Sequence, residues 1–265
     1  MTEPMTPEQP MPFALQSAAH TDSGRTRQAN EDRWLIDLEN NLFVVCDGLS
    51  AQAAGQIAAQ AVVEFLPRAI LHRFPNDRQT ADRLPAPDMI EAGLREAVLQ
   101  TSRQLLEASA DQPGMKGMGT TLALVWMRGA TAFLVHVGDS RIYRARGSQI
   151  TRLTDDHSVV AQMVQRGEIR PELARAHPAN GRLTRYIGLE GDAVPDVRAV
   201  EICKGDRFLL CTDGLTNVVP DEEIAAVLRV NPNPAPACRA LIGLAAAHGG
   251  MGNTTALVIN AGAKG

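Results

Sequence analysis

Residues 121–153 read TLALVWMRGATAFLVHVGDSRIYRARGSQITRL. Four apolar runs are predicted as strands here: Thr121–Met127, Ala130–Val137, Arg141–Ala145 and Gln149–Leu153. Short turns such as Arg128-Gly129 and Arg146-Gly147-Ser148 join them. Connections this short force neighbouring strands antiparallel, because a parallel pair needs a crossover of about a dozen residues. The stretch is therefore expected to form an antiparallel meander.

Outward from this stretch the period changes. Residues 52–74 and 88–109 carry apolar side chains at helical spacing, with Ile57, Ala61 and Phe65 on one face of the first and Ile90, Leu94, Ala97 and Leu105 on one face of the second. Further strands are predicted at Ser17–His20, Arg33–Asp37, Leu42–Cys46, Val197–Cys203, Arg207–Thr212 and Thr255–Asn260. Helices are predicted at Asp156–Gln165 (capped by Asp155 or Asp156), Asp221–Leu228 and Pro236–His248. Strand blocks and helix blocks are segregated, which favours an α+β fold over a doubly wound parallel one.

The chain has 265 residues, 45% of them hydrophobic and only 4% aromatic. That is enough for one large core built of Ala, Leu, Val and Ile. No repeat or linker divides it, so one domain over 14–262 is expected behind a flexible tail at 1–13. A net charge of -4 and a pI near 5.9 argue against nucleic acid or an anionic membrane as partner. Cys46, Cys203, Cys211 and Cys238 have neither zinc-ligand nor disulfide spacing. The polar, Pro-rich start lacks the apolar core of a secretory signal. A cytoplasmic location and a monomer are expected.

Three apolar runs end in an acidic residue beside glycine: Leu42–Cys46 before Asp47-Gly48, Thr131–Val137 before Gly138-Asp139, and Phe208–Thr212 before Asp213-Gly214. A carboxylate at a strand tip is held rigidly yet can face a mouth. Three of them suggest an all-oxygen site for hard divalent cations. The segment Gly24-Arg25-Thr26-Arg27-Gln28-Ala29-Asn30-Glu31-Asp32 sets an arginine four residues before a Glu-Asp pair. Guanidinium is the group best suited to grip phosphate bidentately.

The elements G-x-x-R-x-x-N-E-D (24–32), D-G (47–48), G-M-G-T-T (117–121), V-G-D-S-R (137–141), L-T-x-D-H-S (153–158) and C-T-D-G-L (211–215) occur in that order. In this the chain resembles the metal-dependent serine/threonine protein phosphatases of type 2C, the PPM family, in its bacterial form. The resemblance implies a four-layer αββα sandwich, two antiparallel sheets flanked by helices. It implies two Mn²⁺ or Mg²⁺ ions, with a third in bacterial members. Asp47 would bridge the pair with the Gly48 carbonyl as a further ligand, Asp213 would bind one ion, and Glu31 and Asp32 would hold the other or its waters. Asp139 with Asp213 would form the third site, and Arg27 would clamp the phosphate. The substrates implied are phosphoproteins made by a serine/threonine kinase. Thr120, Thr121 and Ser140 read as groups that satisfy local backbone, Arg141 as paired with a carboxylate, and His157 as structural. The basic segment 166–188 reads as a solvated loop or as the family's substrate-selecting flap.

One position departs from the pattern. The family carries a metal-binding aspartate before Asn253, and here Gly252 stands there. No Asp or Glu occurs from Ile224 to the C-terminus. The loop after the first Asp-Gly also differs, reading Leu49-Ser50-Ala51-Gln52. An active phosphatase with a weakened metal site is expected. The alternative is a catalytically impaired form, a pseudophosphatase or an engineered inactive variant, that binds phosphoproteins.

Overall fold

Leu42–Cys46 is buried at every residue, yet its alternate side chains serve two different cores. Leu42, Val44 and Cys46 face helices, while Phe43 and Val45 face a second sheet. A strand covered on both faces must be apolar throughout, so the run is continuous rather than alternating. A computed structural model describes residues 12–27, 29–49, 54–75, 85–112, 114–191 and 193–262. Residues 1–11 of the tail predicted at 1–13, and Ser50, Ala51 and Gln52 of the loop that begins at Leu49, lie outside these residues. Phe13, assigned by the sequence to the tail, packs against the core between the sheets.

The strands are β1 (Ala14–Asp22), β2 (Arg33–Asp37), β3 (Leu42–Cys46), β4 (Gly48–Leu49), β5 (Gly119–Thr120), β6 (Leu122–Arg128), β7 (Thr131–Val137), β8 (Arg141–Arg146), β9 (Gln149–Arg152), β10 (Asp196–Glu201), β11 (Arg207–Cys211) and β12 (Thr254–Gly262). The helices are α1 (Gly55–Arg73), α2 (Pro87–Ala110), α3 (Val159–Gln165), α4 (Asp213–Thr216), α5 (Asp221–Val230) and α6 (Pro234–Ala247). One sheet has the order β1-β12-β11-β8-β9 and the other β10-β7-β6-β3-β2, all pairs antiparallel. Helices α1 and α2 cover the second sheet, and α5 and α6 the first. Phe43, Val125, Leu134, Phe208, Leu210 and Ile259 fill the space between the sheets. The architecture is the expected α+β sandwich of two antiparallel sheets between helices.

The expected meander is corrected. β6 pairs with β7 in one sheet and β8 with β9 in the other, so the four strands form two separate hairpins. Between them the chain crosses through Gly138, Asp139 and Ser140. Gly138 has φ +107°, and a Cβ on it would lie 2.6 Å from the Thr121 side chain. Only glycine accommodates both constraints.

This crossing puts the acidic strand tips together. β3 and β7 both run antiparallel to β6, so their C-terminal ends share one edge. β8 starts two residues beyond Asp139, and β11 ends opposite that start, with Cys211 beside Arg141. β12 begins and β1 ends at the same edge, Asp22 lying beside Thr254. The segments 23–32, 47–49, 138–140, 212–216 and 252–254 therefore converge at one end of the sandwich.

Candidate metal centre

Asp32, Asp47, Asp139 and Asp213 form one electrostatically coupled group. Burial, then the charges of Asp32, Asp213 and Asp139, push the Asp47 carboxyl well above the ordinary carboxylate range. Burial and the Asp213 charge do the same to Asp139, with Arg141 opposing. Burial also raises Asp213, against a hydrogen bond from Asn217 and the charge of Arg27. Burial raises Asp32 from 3.8 to about 6, against hydrogen bonds from Thr255 and Thr212. Carboxylates raised together by burial and mutual repulsion call for protons or cations.

The backbone around each is fixed. Asp47 N–H donates to Thr121 Oγ1 at 2.9 Å, and its carbonyl accepts from Thr121 N at 2.9 Å and Thr120 Oγ1 at 2.8 Å. Thr121 Oγ1 lies 2.6 Å from Ser140 Oγ, which ties the Asp47 loop to the Asp139 loop. Gly48 and Gly55 meet so closely that a Cβ on Gly48 would sit 2.3 Å from the Gly55 carbonyl oxygen and 2.8 Å from the Glu31 carbonyl oxygen. Two glycines thus let α1 dock against the Asp47 loop and the Glu31 backbone. Asn217 Nδ2 donates to Asp213 Oδ2 at 2.9 Å from one turn along α4.

The sequence missed the supports of Asp32. Thr212 Oγ1 and Thr255 Oγ1 both donate to its Oδ2, at 3.0 and 2.7 Å. Its Oδ1 is buried with no hydrogen-bond partner among the described residues. A buried, unpartnered carboxylate oxygen is costly. The oxygen-only donor set around it, Asp47 and Asp213 fits a hard divalent cation.

Glu31 is buried, and its N–H donates to Asn253 Oδ1 at 2.9 Å. Asn253 Nδ2 donates to the carbonyls of Ser23 and Ala29, at 2.9 and 3.1 Å. The Asn253 amide, next to Gly252, is thus spent strapping the 23–31 loop. Arg27 is exposed on that loop, near enough for its charge to act on Asp213. Gly252 lies on the loop before β12, and a Cβ built there meets nothing within 4 Å. An aspartate at 252 has space.

Arg141 grips Asp156 bidentately, at 2.9 and 2.7 Å. Asp156 is therefore not the cap of α3. That role belongs to Ser158, whose Oγ accepts from Ala161 N. His136, His157 and Asp196 converge with nitrogen and oxygen atoms within 4.8 Å of one another. His157 Nδ1 accepts from Gly138 N–H at 3.2 Å, which puts the ring proton on Nε2, and Nε2 faces Asp196 Oδ2 at 3.0 Å. That proton makes His157 and Asp196 a hydrogen-bonded brace for the Asp139 loop rather than a second metal site, and His136 joins them only through its ring, 4.6 Å from that of His157.

The chain matches the Protein phosphatase 2C family over residues 18–241. It is 33% identical to serine/threonine phosphatase stp of Listeria welshimeri over 242 residues, 90% of this chain and 93% of that protein. It is 35% identical to serine/threonine protein phosphatase PstP of Mycobacterium tuberculosis over 93% of this chain but 45% of PstP. Among solved structures, Stp1 of Staphylococcus aureus superposes with a TM-score of 0.83 at 30% identity, covering 97% of this chain and 98% of that one. The PstP catalytic domain, in complex with two manganese ions, superposes at 0.79 with 33% identity, covering 94% and 98%. Six ordered motifs, the paired antiparallel sheets, the cluster of aspartates and these likenesses agree, and the chain belongs to the protein phosphatase 2C family.

Proposed function

We propose that this chain hydrolyses phosphoserine and phosphothreonine on proteins with Mn²⁺ or Mg²⁺ as cofactor. The observation that carries the reading is the buried, unpartnered Oδ1 of Asp32 amid carboxylates that repel one another. Asp47 would hold both ions of a pair, with the Gly48 carbonyl, Glu31 and Asp32 on one side and Asp213 on the other. Asp139 with Asp213 would hold a third. Bound cations of this kind supply a water of lowered pKa and neutralise phosphate charge. Arg27, exposed and close to Asp213, would orient the phosphate through its guanidinium. Phosphoproteins made by a serine/threonine kinase are the proposed partners, met by a monomer in the cytoplasm.

Gly252 weakens this site in the proposed reading, because the ion held by Asp47 and Asp213 lacks a further carboxylate. The open space at Gly252 also supports a second reading, a binding form in which that loss stops turnover. Phosphate release from a phosphothreonine peptide, followed across a Mn²⁺ titration, tests both. Turnover by the chain and by Gly252→Asp, with the variant saturating at lower Mn²⁺, supports the enzyme. Turnover by the variant alone supports the binding form, and none from either rejects the proposal.

A further inference from the structure

A cleft of about 590 Å³ opens beside the aspartates, lined by Asp139 and Asp213 on one side and by the 158–185 segment on the other. The cleft thus adjoins the aspartates that a phosphoresidue would approach. The cleft holds several guanidiniums, and most are committed. Arg141 is locked on Asp156. Arg152 lies 3.8 and 3.6 Å from Asp155 and Asp156. Arg185 meets Asp196 at 2.9 Å. Arg175 differs: among the described residues it has no carboxylate within ion-pair distance. Its one hydrogen bond there is from Nη2 to the Val219 carbonyl, at 3.0 Å.

That bond orients the guanidinium. Val219 is buried just beyond α4, the element that starts with Asp213, and its N–H donates to Leu215 O at 2.9 Å. The Arg175 backbone is held as well. Its carbonyl accepts from Asn180 Nδ2 at 3.3 Å, within successive turns closed by Ala174, His177, Asn180 and Arg182 N–H groups. One nitrogen is tethered to the backbone just beyond α4, and the remaining N–H groups of an exposed cation are left for a ligand. Of the four arginines that line the cleft, Arg175 is the one without a carboxylate partner among the described residues.

We propose that Arg175 is a specificity-determining residue that receives an anionic group of the substrate flanking the phosphoresidue. The planar fork of guanidinium fits a carboxylate or a second phosphate alike. This rests on the phosphopeptide reading of the site.

The test uses the full chain with Mn²⁺ and three phosphothreonine peptides that differ only beside the phosphoresidue, carrying glutamates, a second phosphoserine, or glutamines. Loss of a charged hydrogen-bond partner at a partly exposed site is expected to change kcat/KM on the order of tenfold. The unaltered chain should favour both anionic peptides over the glutamine peptide by that factor. Arg175→Ala should bring them to the glutamine level, and Arg175→Lys should retain part of the preference. A preference for the doubly phosphorylated peptide alone would assign the subsite to phosphate rather than carboxylate. Equal kcat/KM on all three peptides, or a preference that survives Arg175→Ala, overturns the proposal. If none is hydrolysed, the phosphatase reading fails. Fluorescence anisotropy with the same peptides then decides Arg175 separately: anion-selective binding lost in Arg175→Ala supports it, and indifference ends it.

Discussion

Thr255 Oγ1 donates to Asp32 Oδ2 at 2.7 Å, and that bond closes a ring of hydrogen bonds. Thr255 Oγ1 lies 2.7 Å from Thr21 Oγ1, which accepts from Asn30 Nδ2 at 2.8 Å. Asn30 Oδ1 in turn accepts from Asp32 N–H at 3.0 Å. Because the Thr255 proton is committed to Asp32, the Thr21 proton must point at Thr255. Thr212 adds a second donor to the same Asp32 oxygen. The side chain is thus fixed through Oδ2, and Oδ1 is the atom left for a cation.

Gly252→Asp is expected to tighten metal binding and to shift stability in opposite directions without and with the metal. The new side chain meets no steric obstacle, since nothing lies within 4 Å of the built Cβ. Without metal it adds a charge beside carboxylates that already repel one another, so the metal-free variant should melt below the parent. With saturating Mn²⁺ it should melt higher, because a ligand that binds only the folded state stabilises it more as its affinity rises. Calorimetric Mn²⁺ titration and thermal melts with and without the ion check this. Unchanged affinity removes residue 252 from the metal site.

The raised carboxyls make a pH prediction for the metal-free chain. The folded-state value of Asp32 is about 6, above its ordinary 3.8. The folded form thus holds a proton the unfolded form has released, so stability declines as pH rises from about 4 to 6. Asp47, Asp139 and Asp213 are raised too and act with the same sign. Chemical denaturation across that range should show the decline, Mn²⁺ should suppress it, and Asp32→Asn should reduce it. A metal-free chain that gains stability through this window contradicts the assignment.

The fold was largely legible because strands buried on both faces leave uninterrupted apolar runs. Leu42–Cys46 and the Phe208-Leu209-Leu210-Cys211 part of β11 are such runs, and each leads to its aspartate. Legibility failed where information is not local. Nothing within 121–153 tells two hairpins in different sheets from one meander, because pairing across Gly138–Ser140 depends on β11. The hydroxyls that hold Asp32 lie 180 and 223 residues along the chain, beyond any spacing rule. The four-residue α4 is too short for helical periodicity to reveal. The strap made by Asn253 was hidden because its partners are backbone atoms, which carry no residue identity.

Arg27→Ala should act on substrate affinity rather than on the metals. The side chain is exposed and belongs to no buried network among the described residues, so folding should hold, and Mn²⁺ affinity should not fall, because the charge removed near Asp213 is a positive one. Losing a charge-assisted contact to phosphate should raise KM for a phosphothreonine peptide about 10- to 100-fold. Steady-state kinetics at saturating Mn²⁺ give the answer, and an unaltered KM takes Arg27 out of the phosphate site.

Asn253→Ala should loosen the loop that carries Arg27 without touching any carboxylate. The amide joins β12 to Ser23, Ala29 and Glu31 through three hydrogen bonds between 2.9 and 3.1 Å. Truncation strands the Glu31 N–H and two carbonyls in a mostly buried place, at a cost of about 1–3 kcal/mol. For a chain of this size that lowers the melting temperature by about 2–6 °C. The catalytic consequence should follow Arg27, with KM rising more than kcat falls. Asn253→Asp is the informative companion. It keeps the acceptor for Glu31 N–H but turns a charged oxygen toward the Ser23 and Ala29 carbonyls, so it should melt at or below the alanine variant. If both variants melt with the parent, the loop is held by the contacts of Thr26 and Gly24 with Met251 instead, and the strap is dispensable.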